Sequence, residues 1–131
     1  GVAVAGIMTL TNAGTNANSV NTWVQDGITI VQEQNVAQSA PSSSYTAANS
    51  IRIYQGNTLT FRSDNTITRI EITVSGSYYG SDGTVADNGT LTNPKTSGCT
   101  WEGSSNEVVI TNGGASGGKV IRITKIVVYY E

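Results

Sequence analysis

From Ser50 to Ser75 apolar and polar residues alternate almost without a break. Ile51 and Ile53 alternate with Arg52 and Tyr54, Leu59 and Phe61 with Thr58, Thr60 and Arg62, and Ile70, Ile72 and Val74 with Arg69, Glu71 and Thr73. A period of two marks a strand with one face buried and the other wet. Gly56-Asn57 and Asp64-Asn65 are turn dipeptides, so the block predicts three antiparallel strands in a meander, with Ile, Leu, Phe and Val inward and Thr, Arg and Glu outward.

The alternation recurs elsewhere. Val2 to Thr11 reads as a first strand, followed by a polar loop from Asn12 to Ser19. Trp23 to Val31 reads as two short strands around an Asp26-Gly27 turn, the dipeptide favoured in two-residue hairpins. A second polar loop, Ser39 to Asn49, carries Pro41 and Tyr45. Gly76 to Gly98 is Gly- and Asn-rich and weakly periodic, a length at which loops are often functional. Thr100-Trp101-Glu102 predicts a brief strand before a Glu-Gly turn, and Val108 and Ile110 predict another. After the Asn112–Gly118 loop, Val120 to Tyr130 forms a long last strand. Its alternation slips at Lys125, where a bulge would turn both Ile121 and Ile123 and then Ile126 and Val128 toward the core. Only Gln32 to Ala40 has helix-forming composition, and it is short and thinly apolar. The expected fold is therefore all-β, an antiparallel two-sheet β-sandwich of jelly-roll type, with residues 1–131 as a single module.

Composition agrees. Charged residues make up 12% of the 131 residues, against about 25% in ordinary globular chains. Thr, Val, Ile and aromatic residues are plentiful, which separates this chain from a disordered one. At this size roughly two-thirds of the unfolded surface is buried on folding, enough for a core without staples. The net charge is −2 and the pI about 5.0. The basic residues are scattered singly along the chain and make no cationic run, which argues against nucleic acid as a partner. No apolar run approaches the roughly 18 residues of a membrane helix, so membrane insertion is not expected. The first ten residues lack a basic n-region and a full apolar h-region, so they do not form an intact signal peptide. Cys99 is the only cysteine. It is expected as a small buried hydrophobe beside Trp101.

The runs SIRIYQGNTLTFRSDNTITRIEITVSG, TWEGSSNEVVIT and GKVIRITKIVVYYE resemble the β-sandwich accessory domains of large secreted or surface proteins of gut and rumen Bacteroidetes. These runs make up about two-fifths of the chain. It implies a secreted or cell-surface module that is non-catalytic and often carbohydrate-binding. Neither the Gly76–Gly98 loop nor the first 20 residues belongs to the matching part.

Catalytic chemistry has little to work with. The chain contains no His, so a Ser-His-Asp or Cys-His arrangement is impossible. None of Lys95, Lys119 and Lys125 lies in a nucleophile motif. Paired carboxylates would have to come from Glu102 with Glu107, Asp82 with Asp87, or Glu71. Glu71 is expected to pair with Arg52, Arg69 or Arg122 across the solvent face. The chain is thus expected not to be an enzyme. Asp82 and Asp87 could offer hard oxygen ligands to a structural calcium ion, although their spacing is not that of an EF-hand and Asp is common in ordinary turns. No other cofactor is implied.

A sugar offers C–H faces ringed by hydroxyls, which flat aromatic rings and flanking amides and carboxylates match. Tyr78-Tyr79, with Asp82 and Asn88 beside them, are the leading candidates for binding a plant β-glycan type of polysaccharide. The plain reading of the pair is strand continuation with one ring inward. Tyr45 is a second candidate, and Tyr54 with Tyr129 would make a platform on a sheet face, where Thr, Asn and Gln serve glycan hydroxyls. Trp101 and Trp23 read as core anchors. A carbohydrate-binding module should be monomeric. The rival is a filament or phage-fibre subunit that self-assembles by strand addition through residues 2–10; otherwise those residues are an edge strand of their own sheet.

Overall fold

The structure, a computed structural model, describes residues 4–9, 15–17, 20–33, 43–46, 50–53, 56–74, 84–92, 98–113 and 121–131. None of these is helical. Eleven strands belong to one antiparallel sheet: β1 (Val4–Thr9), β2 (Thr15–Ala17), β3 (Val20–Gln25), β4 (Ile28–Glu33), β5 (Ser43–Thr46), β6 (Ser50–Ile53), β7 (Thr58–Val74), β8 (Val85–Ala86), β9 (Thr90–Thr92), β10 (Gly98–Thr111) and β11 (Ile121–Tyr130).

The spine is the antiparallel ribbon of β7 and β10, paired from Thr58↔Thr111 to Thr73↔Gly98. The other edge of β7 is shared. Its first part, from Thr58 to Ser63, pairs β4, and its last, from Ile67 to Val74, pairs β11. The far edge of β11 takes β1 along Lys125–Tyr130 and β6 along Ile121–Ile123. Two halves thus hang from one ribbon: a β4 half with β2, β3 and β8, and a β11 half with β1, β5, β6 and β9. Inward residues of both halves join one core, including Ile28 and Ile30 of β4, Phe61 and Ile70 of β7, Trp101 and Val108 of β10, and Ile126 and Val128 of β11. Each such side chain, fully buried, contributes about 1.5–3 kcal/mol through loss of contact with water.

The Asp26-Gly27 turn forms as expected, with positive φ at both residues (52° and 77°) and Gln25 opposite Ile28. The slip in β11 is a register shift between Ile123 and Lys125, and inward burial resumes at Ile126. Trp101 is fully buried, and Trp23 and Cys99 are buried with it in the core. Gly89 lies against the Trp101 indole, where a Cβ would come within 2.5 Å of Nε1.

Several expectations fail, among them the polar loops Asn12–Ser19 and Ser39–Asn49, which contain β2 and β5. The Ser50–Ser75 block is not a meander, because β6 pairs β11 and β5 rather than β7. Asp64-Asn65 does not reverse the chain. Between Arg62↔Glu107 and Ile67↔Ser105, β7 advances five residues and β10 two. The extra residues bulge where the ribbon bends, and the Asn65 amide donates to Ser63 Oγ (3.0 Å) inside that bulge. A partner strand bending alongside keeps the chain extended through a dipeptide that elsewhere makes a turn. For the same reason Glu102-Gly103 makes no turn, and Trp101 sits inside a 14-residue strand. The weakly periodic Gly76–Gly98 region holds two short strands, β8 and β9, both docked on β10. Of Gln32–Ala40, Gln32 and Glu33 belong to β4 and the rest lies outside the described residues.

Buried amides tie the halves together. Asn21 Nδ2 donates to Gln32 Oε1 (3.1 Å), and Gln32 Nε2 donates to the Arg52 carbonyl of β6 (2.7 Å). Asn112 Nδ2 donates to the neighbouring Ile53 carbonyl (2.8 Å). All three side chains are fully buried, and a buried amide is tolerated only where its hydrogen bonds are made. This stitching holds β6 at a fixed height beside β11.

Candidate functional site

The outward face of the β11 half follows from strand register, since residues directly opposite on antiparallel strands point to the same side. One row runs Thr90, Glu102, Arg69, Tyr129; the next runs Thr92, Thr100, Glu71, Val127; a third runs Gly98, Thr73, Lys125. Each alternates with a core residue, so the pattern that builds the core also builds this polar surface.

Tyr129 stands half-exposed on the face. Its hydroxyl donates to Glu71 Oε1 (3.0 Å), and Arg69 donates to the other oxygen of Glu71 through Nε (3.2 Å) and Nη2 (3.1 Å). Arg69 Nη1 reaches Glu102 Oε2 at 3.3 Å. Of the partners foreseen for Glu71, Arg69 is the one that pairs. Exposed ion pairs of this sort add only about 0–1 kcal/mol, so what the network does is orient. It fixes the phenol hydroxyl and leaves the ring on the sheet surface. The bond to Glu71 is also the first cause of a phenol pKa above its usual 10.0; lost hydration and the Glu71 charge add to it, and Arg69 opposes it.

Beside this cluster lies an open groove of about 380 Å³, lined by Glu71, Thr73, Thr92, Thr100, Lys125 and Val127, with Gly98 and Cys99 in its wall. Gly98 has φ 144°, and a Cβ there would collide with the Ile72 carbonyl oxygen. Only glycine lets β10 approach β7 so closely. The Cys99 thiol faces the core, where burial pushes its pKa up to about 12.

A second groove, about 320 Å³, lies at the ribbon's bend between Gly27, Thr29, Arg62, Ser63, Asp64, Asn106 and Glu107. Arg62 Nε and Glu107 Oε2 meet there at 3.0 Å. It contains no aromatic side chain among the described residues.

Of the candidates read from the sequence, Tyr54, Tyr78, Tyr79 and Asp82 lie outside the described residues, and Tyr45 is placed only as a backbone position of β5. Asp87 and Asn88 are described, and both hold the bend between β8 and β9 onto β10. Asp87 Oδ1 accepts from the Val109 amide (2.8 Å) and from Asn88 Nδ2 (2.9 Å). Asn88 Nδ2 also donates to the Glu107 carbonyl (3.0 Å), and the Asn88 carbonyl accepts from Trp101 Nε1 (2.7 Å). Their polar atoms serve the fold. Among the described residues no three acidic or thiol groups converge as a metal site. The pairing of Tyr129 with Glu71, Arg69 and Glu102 was not legible beforehand, because it needs the register of three strands far apart in sequence.

No protein-family model matches the chain, and comparison with curated proteins finds no match.

Proposed function

We propose that the chain is a non-catalytic extracellular module, a β-sandwich whose two halves close over the common core, and that it binds a polysaccharide of plant β-glycan type on the outward face of β11. The observation that carries this reading is Tyr129, an aromatic ring on an open sheet face with its hydroxyl held by Glu71. Around it stand the hydroxyls of Thr73, Thr92 and Thr100 and the charged groups of Arg69 and Glu102. A ring of this kind offers dispersion contact to the C–H face of a sugar, and its neighbours donate to and accept from the hydroxyls. The resemblance to secreted accessory modules supports an extracellular setting.

A binding role also fits the carboxylates better than catalysis does. Glu71 and Glu102 share one guanidinium on an open surface, and Glu107 pairs with Arg62. The rival, assembly by strand addition, is less favoured because β1 already pairs with β11 of its own chain from Val4↔Tyr130 to Thr9↔Lys125.

Affinity electrophoresis against a panel of plant β-glycans tests the proposal. Retardation of the native protein should disappear in Tyr129→Ala, with an unchanged circular dichroism spectrum. Retardation by no polysaccharide would refute it. If Tyr78→Ala/Tyr79→Ala loses binding and Tyr129→Ala keeps it, the site moves to the loop.

A further inference from the structure

Arg52 of one strand and Arg122 and Lys125 of another come together at one end of this face. Arg52 of β6 lies directly opposite Arg122 of β11, and opposed residues of antiparallel strands share a face. Their neighbours Ile53, Ile121 and Ile123 are buried, so both arginines point outward. The bulge after Ile123 inserts Thr124, whose hydroxyl donates to the Thr73 carbonyl (3.3 Å), and so returns Lys125 to the outward face. Although the sequence has no cationic run, these residues form a cationic patch in the fold.

The patch is not neutralised within the described part of the chain. Arg62 is paired with Glu107, and Arg69 with Glu71 and Glu102, but Arg52, Arg122 and Lys125 make no ion pair with any described residue. The Nε of Arg52 is buried and has no hydrogen-bond partner. Like charges set directly opposite on neighbouring strands destabilise a sheet, and a buried donor without an acceptor adds to the cost. Gln32 nevertheless clamps the Arg52 carbonyl, which holds β6 in this register. An arrangement that opposes folding and is still fixed by the buried amides is accounted for by an acceptor from outside.

The patch continues the Tyr129 face. Outward positions along β11 run Tyr129, Val127, Lys125 and Arg122, roughly 23 Å end to end at the usual rise per residue. That is long enough for several linked sugars.

We infer that the polysaccharide is acidic, with carboxylates carried along the glycan and received by Arg122, Lys125 and Arg52 while Tyr129 takes a neutral ring. The inference rests on the binding role proposed for the Tyr129 face and goes beyond it in naming the charge of the ligand. Guanidinium groups suit carboxylates because their donors match both oxygens.

The test compares glucuronoxylan with the same polymer after chemical reduction of its carboxyl groups, by titration calorimetry at low salt. The native protein should bind the acidic form at least roughly tenfold more tightly, the loss expected when a charge-assisted hydrogen bond is removed. Added salt should shrink the difference. Arg122→Gln/Lys125→Gln, which keeps exposed polar side chains and should fold normally, should abolish the difference, whereas Tyr129→Ala should weaken both polymers alike. Equal binding of the two polymers by the native protein, or a preference that survives in the double variant, overturns the inference and leaves the glycan reading intact. If neither polymer binds but inorganic polyphosphate does, and the double variant loses it, the glycan occupant is refuted and only an anion site stands. If nothing binds, both readings fall.

Discussion

The two halves that share the β7–β10 ribbon have the same interior and different exteriors. Inside, both present Ile, Val and large aromatics: Trp23 and Phe61 toward the β4 side, Trp101 toward the β11 side. Outside, the β4 half is bland. Val31 and Thr60 are buried although they alternate with core residues, Val24 is exposed, and its groove holds one ion pair, Arg62 with Glu107, beside Asp64. The β11 half carries an oriented tyrosine, a shared guanidinium, a groove and three cations that make no ion pair among the described residues. The inward positions therefore account for folding in both halves, while the proposed recognition chemistry concentrates on one outer face.

Substitutions that break the shared interior should have the largest effect. Trp101→Ala removes a fully buried indole and its bond to the Asn88 carbonyl. It should cost about 3–5 kcal/mol, read as a lower urea midpoint, and an unchanged midpoint would mean the indole is not a core element. Removing a stitch between the halves comes next. Gln32→Leu removes the bonds that Gln32 makes to the Asn21 amide and to the Arg52 carbonyl and should cost about 1–3 kcal/mol. If stability is unaffected, the buried amides do not hold β6.

The smallest effects come from pH, and they separate interior from exterior. The Cys99 thiol has a folded value of about 12 against 9.0 for an ordinary cysteine. A folded pKa above the unfolded one means the contribution to stability is complete below pH 9.0 and is lost as pH rises toward 12. In the native state the thiol should resist disulfide-exchange reagents at neutral pH, and rapid labelling would place it at the surface. Tyr129 is shifted in the same direction for a different reason, its hydrogen bond to Glu71. Glu71→Gln should return the phenol toward its ordinary titration, followed by NMR, and leave Cys99 as it was.

The interior was largely readable from the sequence because burial alternates locally. Ile70, Ile72, Val108 and Ile110, the two Trp anchors, the Asp26-Gly27 hairpin and the slip at Lys125 all announce themselves within a few residues. What failed was pairing. Asp64-Asn65 has turn chemistry, but a strand some forty residues later bends beside it and keeps it extended. The exterior was harder still. Nothing near Arg52 indicates that it will face Arg122, and nothing near Tyr129 indicates that Glu71 will receive its hydroxyl, since both depend on register between distant strands. Asp87 and Asn88, read from the sequence as candidate ligands, also make bonds to Val109, Glu107 and Trp101 that no local pattern announces.

Mapping amide chemical shifts while a glucuronoxylan oligosaccharide is titrated in asks directly which exterior recognises the ligand. Progressive shifts should appear at Arg69, Glu71, Thr100, Arg122, Lys125, Val127 and Tyr129, while Thr22, Val24 and Thr29 stay still. Shifts confined to the β4 half, or none at saturating oligosaccharide, would contradict it.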